Sequence, residues 1–407
     1  MRKPLKVLHI TRSEELGIRA VMLGILTYMD RTQFSMKVAG PLKGPLIQDL
    51  ARLEIPTVFC AVERDIKLLH DMRNLAQMCR LIHHEQPDVL HLHGAKAGFL
   101  GRIAGWLNGV AAIVYTPNND YLDEPNASLR NSLLVFLEKC VAQLGGQIVS
   151  VTTEERANWL SRGICPESNI VTIHDGFDFS RASEVIDQVQ AKNLLGVPEY
   201  CNVIGMIARL VPQKAPHIFL QAAAHVLRQR PDTRFLIVGA GPLDESLKTL
   251  SKSLGIDKQV QFLGYVANLS HVYSAMDASV LTSLYEGLPM VILESMYLRI
   301  PVILPRIYGV NEVVPEGYGI VTAINDPEGT ANAILQVLDN PKSAGEMADR
   351  AHRHASAHFG AAQMSERYQQ LYLSLLSRRQ TVPEQSEIRH RPGYVKPNAV
   401  SPESPHN

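Results

Sequence analysis

Short apolar runs rich in valine and isoleucine recur through the first half of the chain: "KVLHI", "SMKVAG", "DVLHLH", "AAIVYT", "QIVSVT" and "IVTIH", with longer helix-periodic segments between them. Runs that are continuously apolar suit strands buried on both faces, so the pattern predicts parallel sheets covered by helices on either side. A second series, "NVIGMIA", "RFLIVGAG", "VQFLGY", "ASVLT" and "IPVILP", begins after a polar, helix-favouring segment around residues 181–200. The expected class is therefore α/β, with one Rossmann-like domain over residues 1–190 and a second over 191–357. From residue 358, "HFGAAQMSERYQQLYLSLLSR" places Met364, Tyr368, Leu371, Tyr372 and Leu375 on one stripe. That spacing predicts a packed helix over 358–377. Residues 378–407 hold prolines, few large apolar side chains and no period, which predicts a disordered tail.

Composition adds little to this picture except exclusions. With 407 residues and 46% apolar side chains, the chain has material for two cores rather than one. Forty basic residues balance forty acidic ones, so no net charge points to nucleic acid. Cys60, Cys79, Cys140, Cys165 and Cys201 include no C-x-x-C pair and read as thiols of a reducing compartment. The start, "MRKPLKVLHITRS", has too short an apolar run for a signal segment or a membrane span. A cytoplasmic location is expected, with membrane contact at most peripheral.

Candidate chemistry concentrates in the second half. "LYEGLPMVILE" sets Glu286 on a loop and Glu294 in the helix that follows, with Pro289 suited to that helix's first turn. Two carboxylates so placed can face a polar ligand lying over the helix start, whose free N–H groups attract anions. "GMIARLVPQKAP" places Arg209 and Lys214 in the loop after a strand, where parallel sheets bind ligands; the pair reads as a diphosphate clamp or as solvated surface cations. "FLIVGAGPLDESL" holds Gly239 and Gly241 in a strand-to-helix turn, open either to a phosphate or to a plain tight turn, since Asp244 replaces a third glycine. "HLHGAKAG" puts His91 and His93 on one strand face; with no acidic or cysteine partner at ligand spacing, packing or hydrogen bonding outweighs a metal site. "HRHASAH" sets His354 and His358 one turn apart on what reads as a solvated helix face, and "YTPNNDY" reads either as plain turn chemistry or, from its place at a strand's carboxyl end, as part of a cleft.

Taken together and in order, these stretches resemble the family 4 glycosyltransferases of the GT-B fold, and the likeness runs to residue 377. Its most specific piece is "SLYEGLPMVILESM" with its E-x7-E spacing; "ARLVPQK", "LIVGAGPLDESL", "HLHGAKAGFLGR", "VYTPN", "VSVTTEERANWLSRGI" and "FGAAQMSERYQQLY" support it. The resemblance implies an N-terminal acceptor domain and a C-terminal donor domain facing across a cleft, with the terminal helix crossing back to the first. It implies a retaining hexosyltransferase of bacterial surface-polysaccharide type that takes a nucleotide-sugar donor, a UDP-sugar ahead of a GDP-sugar, and needs no metal or other cofactor. The acceptor would be a saccharide or a polyprenyl-diphosphate-linked saccharide at the inner membrane face. By the same likeness Glu294 holds the ribose hydroxyls, Glu286 lies by the transferred sugar with the N–H groups of Gly287 and Leu288, and Arg209 and Lys214 neutralise the leaving diphosphate. Gly239, Gly241 and Gly17 belong to the donor side, Asn118 and His93 to the acceptor side. Three departures stand out. Leu16 and Arg19 occupy the first and last positions of the family's Gly-Gly-x-Glu/Gln loop, Asn118 stands where relatives carry histidine, and Arg299 replaces a usual glycine. A binding subunit without transfer activity and a nucleotide-sugar epimerase are the alternatives.

Overall fold

The structure is a computed structural model that describes residues 3–11, 16–41, 44–62, 68–117, 128–182 and 184–380. Asn118 and the tail beyond residue 380 lie outside the described residues.

Two parallel sheets carry the two halves. The first contains β1 (Leu5–Thr11), β2 (Phe34–Gly40), β3 (Thr57–Phe59), β4 (Val89–His93), β5 (Ala112–Thr116), β6 (Gln147–Ser150) and β7 (Ile170–Thr172), in the order β3-β2-β1-β4-β5-β6-β7. The second contains β8 (Val203–Ile207), β9 (Arg234–Val238), β10 (Val260–Gly264), β11 (Ala278–Val280), β12 (Val302–Pro305) and β13 (Ile320–Thr322), in the order β10-β9-β8-β11-β12-β13. Strand reversal beside β1 and β8 is the doubly wound arrangement, which opens a crevice at the carboxyl ends of the strands. The continuous apolar runs have the cause the pattern implied. Val7, Val89 and Val114 face one side of the first sheet, whereas Leu8, Leu90 and Ile113 face the other, and each side is roofed by helices. The edge strands β3 and β13 bury no residue fully and were not foreseen.

The helix Ala361–Gln380 returns to the first half, where Met364, Tyr368 and Tyr372 are buried among core residues that include Val21, Val89 and Val114. Two chain crossings meet beneath it, because Phe177 and Gly360 form a parallel bridge and Phe177 N–H donates to the Phe359 carbonyl at 2.8 Å. The helix Gln188–Leu194, which straddles residue 190, buries Ala191 with Val203 and Leu236 of the second sheet.

Arg299 shows how the family's usual glycine arises. The helix Met290–Tyr297 ends with Arg299 N–H donating to Met296 O at 3.1 Å and Ile300 N–H to Ser295 O at 2.9 Å, a Schellman closure that puts Arg299 at φ 57°. That is left-handed backbone, which an L side chain occupies only at a cost. The exposed Arg299–Asp349 pair at 3.1 Å offsets little. Arg299→Gly is therefore expected to raise stability by about 1 kcal/mol. Denaturant melts of both proteins check this, and an unchanged or lower midpoint would contradict it.

Candidate active site

The loop after β8 and the loop after β11 are bound to each other. Leu284 N–H donates to Gln213 O at 2.8 Å, Gln213 Nε2 to Tyr285 O at 3.0 Å, and Thr282 Oγ1 to the Lys214 and Ala215 carbonyls at 2.9 and 3.1 Å. These contacts bring together two charges that lie far apart in the sequence. Lys214 Nζ donates to Glu286 Oε1, and Ser283 Oγ donates to the same oxygen at 2.5 Å. The pair is largely enclosed, with side chains 17% and 8% exposed. A carboxylate that retains one oxygen beside an ammonium with further donors presents both an acceptor for sugar hydroxyls and a cation for phosphate. Arg209 lies half-buried on the same loop as Lys214.

Glu294 stands one turn into the helix Met290–Tyr297, half-buried, and its Oε2 accepts from the Tyr273 hydroxyl at 2.9 Å. Tyr273, fixed among Val203, Val238 and Val272, orients that carboxylate. Burial, reinforced by the Glu294 charge, pushes the phenol well above its ordinary range, so it remains a donor. No local sequence signal marked this tyrosine. Pro289 is the N-cap residue ahead of Met290 rather than part of the first turn, with φ −78° and ψ 100°. Gly287 is enclosed, and Leu288 buries its side chain with Leu281 and Ile292.

Gly239 and Gly241 have a packing reason. A Cβ on Gly239, whose φ is +134°, would lie 1.9 Å from Ala208 O, and one on Gly241 would lie 2.4 Å from Leu210 O. The glycine turn lies directly against the backbone that carries Arg209. Leu210 N–H donates to Ala240 O at 3.0 Å, and Leu243 N–H to Leu210 O at 3.1 Å.

In the first domain, Gly17 is exposed, with open space around its Cα. Arg19 is taken up by Asp49, its Nε donating to Oδ2 at 2.8 Å. His93 is buried, and a third imidazole from β1 joins it. His9 Nδ1 lies 3.1 Å from His93 Nε2, and the ligand nitrogens of His9, His91 and His93 all fall within 4.8 Å of one another. Three imidazoles at this spacing match a metal ligand set. Both nitrogens of His91 are engaged, however, Nδ1 with Tyr372 Oη at 2.7 Å and Nε2 with Thr116 Oγ1 at 3.0 Å. A metal bound there would have to break either the bond that ties β4 to the crossing helix or the one that ties it to β5. Burial pushes His9 down to about 3 and His91 and His93 well below their ordinary value, so all three are neutral at pH 7.

The described residues contain no helix long and apolar enough to cross a membrane. Residues 16–176 match the family model "Glycosyl transferase 4-like domain" and residues 188–354 match "Glycosyl transferases group 1". The chain is 29% identical to the Escherichia coli UDP-Gal:alpha-D-GlcNAc-diphosphoundecaprenol alpha-1,3-galactosyltransferase, over 83% of this chain and 88% of that protein. It is 28% identical to a D-inositol 3-phosphate glycosyltransferase of Corynebacterium urealyticum, over 87% and 83% respectively. Among solved structures, Anabaena HepE in complex with UDP-glucose superposes with a TM-score of 0.78 at 23% identity, over 91% of this chain and all of that one. Both halves match glycosyltransferase models in order, and two facing parallel-sheet domains are tied by a returning helix. The chain belongs to the family 4 glycosyltransferases of the GT-B fold.

Proposed function

We propose that this glycosyltransferase moves a hexose from a nucleotide diphosphate sugar, with UDP preferred to GDP, onto a saccharide or polyprenyl-diphosphate-linked acceptor in cell-surface polysaccharide assembly. The observation that carries this reading is the enclosed Lys214–Glu286 pair at the carboxyl edge of the second sheet, with Glu294 held by Tyr273 on the helix that follows the Glu286 loop. In retaining transfer the acceptor oxygen bonds to the anomeric carbon on the face that the phosphate leaves. The electron pair of the breaking C–O bond passes to the diphosphate, and a phosphate oxygen takes the acceptor's proton. Arg209 and Lys214 stabilise the charge that grows there, without a metal. Glu286 contacts the sugar, and Glu294 accepts from the ribose hydroxyls. The names of the relatives support the choice of partners: the E. coli enzyme is named for UDP-galactose and a diphosphoundecaprenol-linked sugar, and HepE was crystallised with UDP-glucose. A lipid-linked acceptor suits the first domain, where the helix Ser128–Ala142 exposes Leu133 and Phe136 beside Arg130.

A thermal-shift panel of UDP- and GDP-sugars, followed by turnover with the hit, tests the proposal. Glu294→Ala should weaken UDP binding about tenfold or more, the scale of a lost charged hydrogen bond. Glu286→Ala should lower turnover more than UDP affinity. Equal behaviour of the two variants would overturn this division of roles. A wild-type protein that binds a nucleotide-sugar yet neither transfers nor hydrolyses it would be a binding subunit, with Leu16, Arg19 and Asn118 as the marks of lost activity.

A further inference from the structure

The helix Thr153–Ser161 of the first domain begins at the N-cap Thr152, whose hydroxyl accepts from Glu155 N–H at 3.0 Å. The two N–H groups that precede it in the first turn, of Thr153 and Glu154, are among those a helix start leaves without an intrahelical acceptor. Both are satisfied from the other domain. Glu312, in the turn Val310–Val313 after β12, accepts from Thr153 N–H at 2.8 and 3.0 Å, from Thr153 Oγ1 at 2.6 Å and from Glu154 N–H at 3.2 Å. Its second oxygen meets His174 Nε2 at 2.7 Å, on the segment that leads to the crossing at Phe177. The exchange is mutual, because Glu154 Oε2 accepts from Gly309 N–H at the start of the Glu312 turn. Nothing larger than glycine fits between the two segments: a Cβ on Gly309 would fall 2.3 Å from Thr152 Cγ2. His354, expected on a solvated face, is half-buried and places Nε2 3.0 Å from Glu312 O. Burial pushes the Glu312 carboxyl up, but the hydrogen bonds from His174, Thr153 and Glu154 outweigh it and bring the group down to about 2. The carboxylate is thus charged throughout the working pH range.

This contact is coupled to the donor site by packing. Val310 and Val313 flank Glu312 and share a core with Leu288, Ile292 and Leu293, the apolar residues interleaved with Glu286 and Glu294; Val151 of the first domain enters the same core. We propose that Glu154 and Glu312 are positioning residues, forming a reciprocal carboxylate clamp that holds the acceptor-side domain in the register that transfer requires over the donor loop. The proposal rests on the transferase reading above for its link to rate, but not for the clamp itself.

Amide hydrogen exchange and kinetics on Glu154→Ala, Glu312→Ala, Glu312→Gln and the double alanine variant test it. Glu154→Ala is the decisive case, since it leaves Glu312 intact. If the clamp acts as a unit, exchange at Thr153 N–H, which Glu312 holds, should rise about tenfold or more in Glu154→Ala through local opening. Turnover should fall about tenfold with UDP affinity unchanged, and the double variant should be no worse than the worse single, as coupled residues behave. Glu312→Gln, which keeps an acceptor oxygen for Thr153, should recover part of the rate. Unchanged exchange at Thr153 in Glu154→Ala, or strictly additive losses, would overturn the clamp. Exchange is measured below each variant's melting transition, so a destabilised variant still reports. If wild type neither transfers nor hydrolyses any sugar donor, the transferase reading fails, and the exchange result alone judges the clamp.

Discussion

Lys214→Ala should lower sugar transfer by about a hundred- to a thousandfold, the usual cost of losing one preorganised donor where charge develops, while UDP affinity changes far less. The asymmetry follows from what the ammonium does in each state. In the ground state it already pairs with Glu286, 8% exposed, so a bound diphosphate meets a cation whose field is partly spent. As the glycosidic bond breaks, negative charge moves onto the leaving phosphate and the same ammonium gains a stronger partner. Interactions that strengthen only in the transition state appear in the rate and not in ground-state affinity. Arg209→Ala should shift the same quantities in the same direction. Lys214→Ala also strands the Glu286 carboxylate with Ser283 as its hydroxyl donor, so the melting temperature should fall as well. Adding Glu286→Gln should restore the melting temperature without restoring transfer. Separating the readouts needs calorimetry with UDP and turnover, or slow donor hydrolysis, with the UDP-sugar. A loss of affinity as large as the loss of rate would mean that Lys214 serves binding alone.

How much of this was legible in the sequence depended on whether the signal was local. The apolar runs foretold the buried strands because each carries its own burial in consecutive residues, whereas β3 and β13 lie at the sheet edges and bury no residue fully. The loop position of Glu286 and the helical position of Glu294 were readable from Pro289 and the run after it. The pairing of Lys214 with Glu286 was not, since β11 and β8 must lie side by side before the two loops touch. Tyr273 left no mark because its role is set by a hydrogen bond between two separate helices, Ser270–Ala275 and Met290–Tyr297, which only the fold brings together. His91 and His93 were placed on one face by alternation, yet His9 joins them only through the register of β1 with β4. Gly239 and Gly241 were ambiguous for the same reason: the backbone that crowds them belongs to the loop after the neighbouring strand. Arg299 stood out in the sequence only as a replacement for a usual glycine, and the left-handed backbone that gives the replacement its cost is visible only in the structure.

The largest loss of stability is expected from a pair remote from the donor loop. Arg102, on the helix Ala95–Leu107, and Glu138, on Ser128–Ala142, have side chains 2% and 4% exposed and are joined by a salt bridge. The guanidinium also lies 4.4 Å from the centre of the Tyr115 ring and donates from Nε to Gly98 O at 3.1 Å. Removing one member of such a pair leaves an uncompensated charge in a low-dielectric interior and costs about 3–5 kcal/mol. For a domain of this size that is on the order of a 10 °C drop in melting temperature, so Glu138→Ala should unfold the first domain well before wild type. The companion experiment asks whether the charges are required or only their pairing. The double variant Arg102→Met with Glu138→Leu keeps much of the volume and strands nothing, and should recover most of the loss, since a packed apolar replacement of a buried pair is often neutral. Denaturant midpoints of the three proteins decide the matter, and a Glu138→Ala cost below about 1 kcal/mol, the range of an exposed pair, would show the site to be wetter than its burial implies. UDP binding measured well below the transition should be unaffected in every variant, because the proposed nucleotide site lies on the other sheet. On this account the arginine of "HLHGAKAGFLGR" holds one helix to its neighbour, and its place in the motif reflects architecture rather than chemistry.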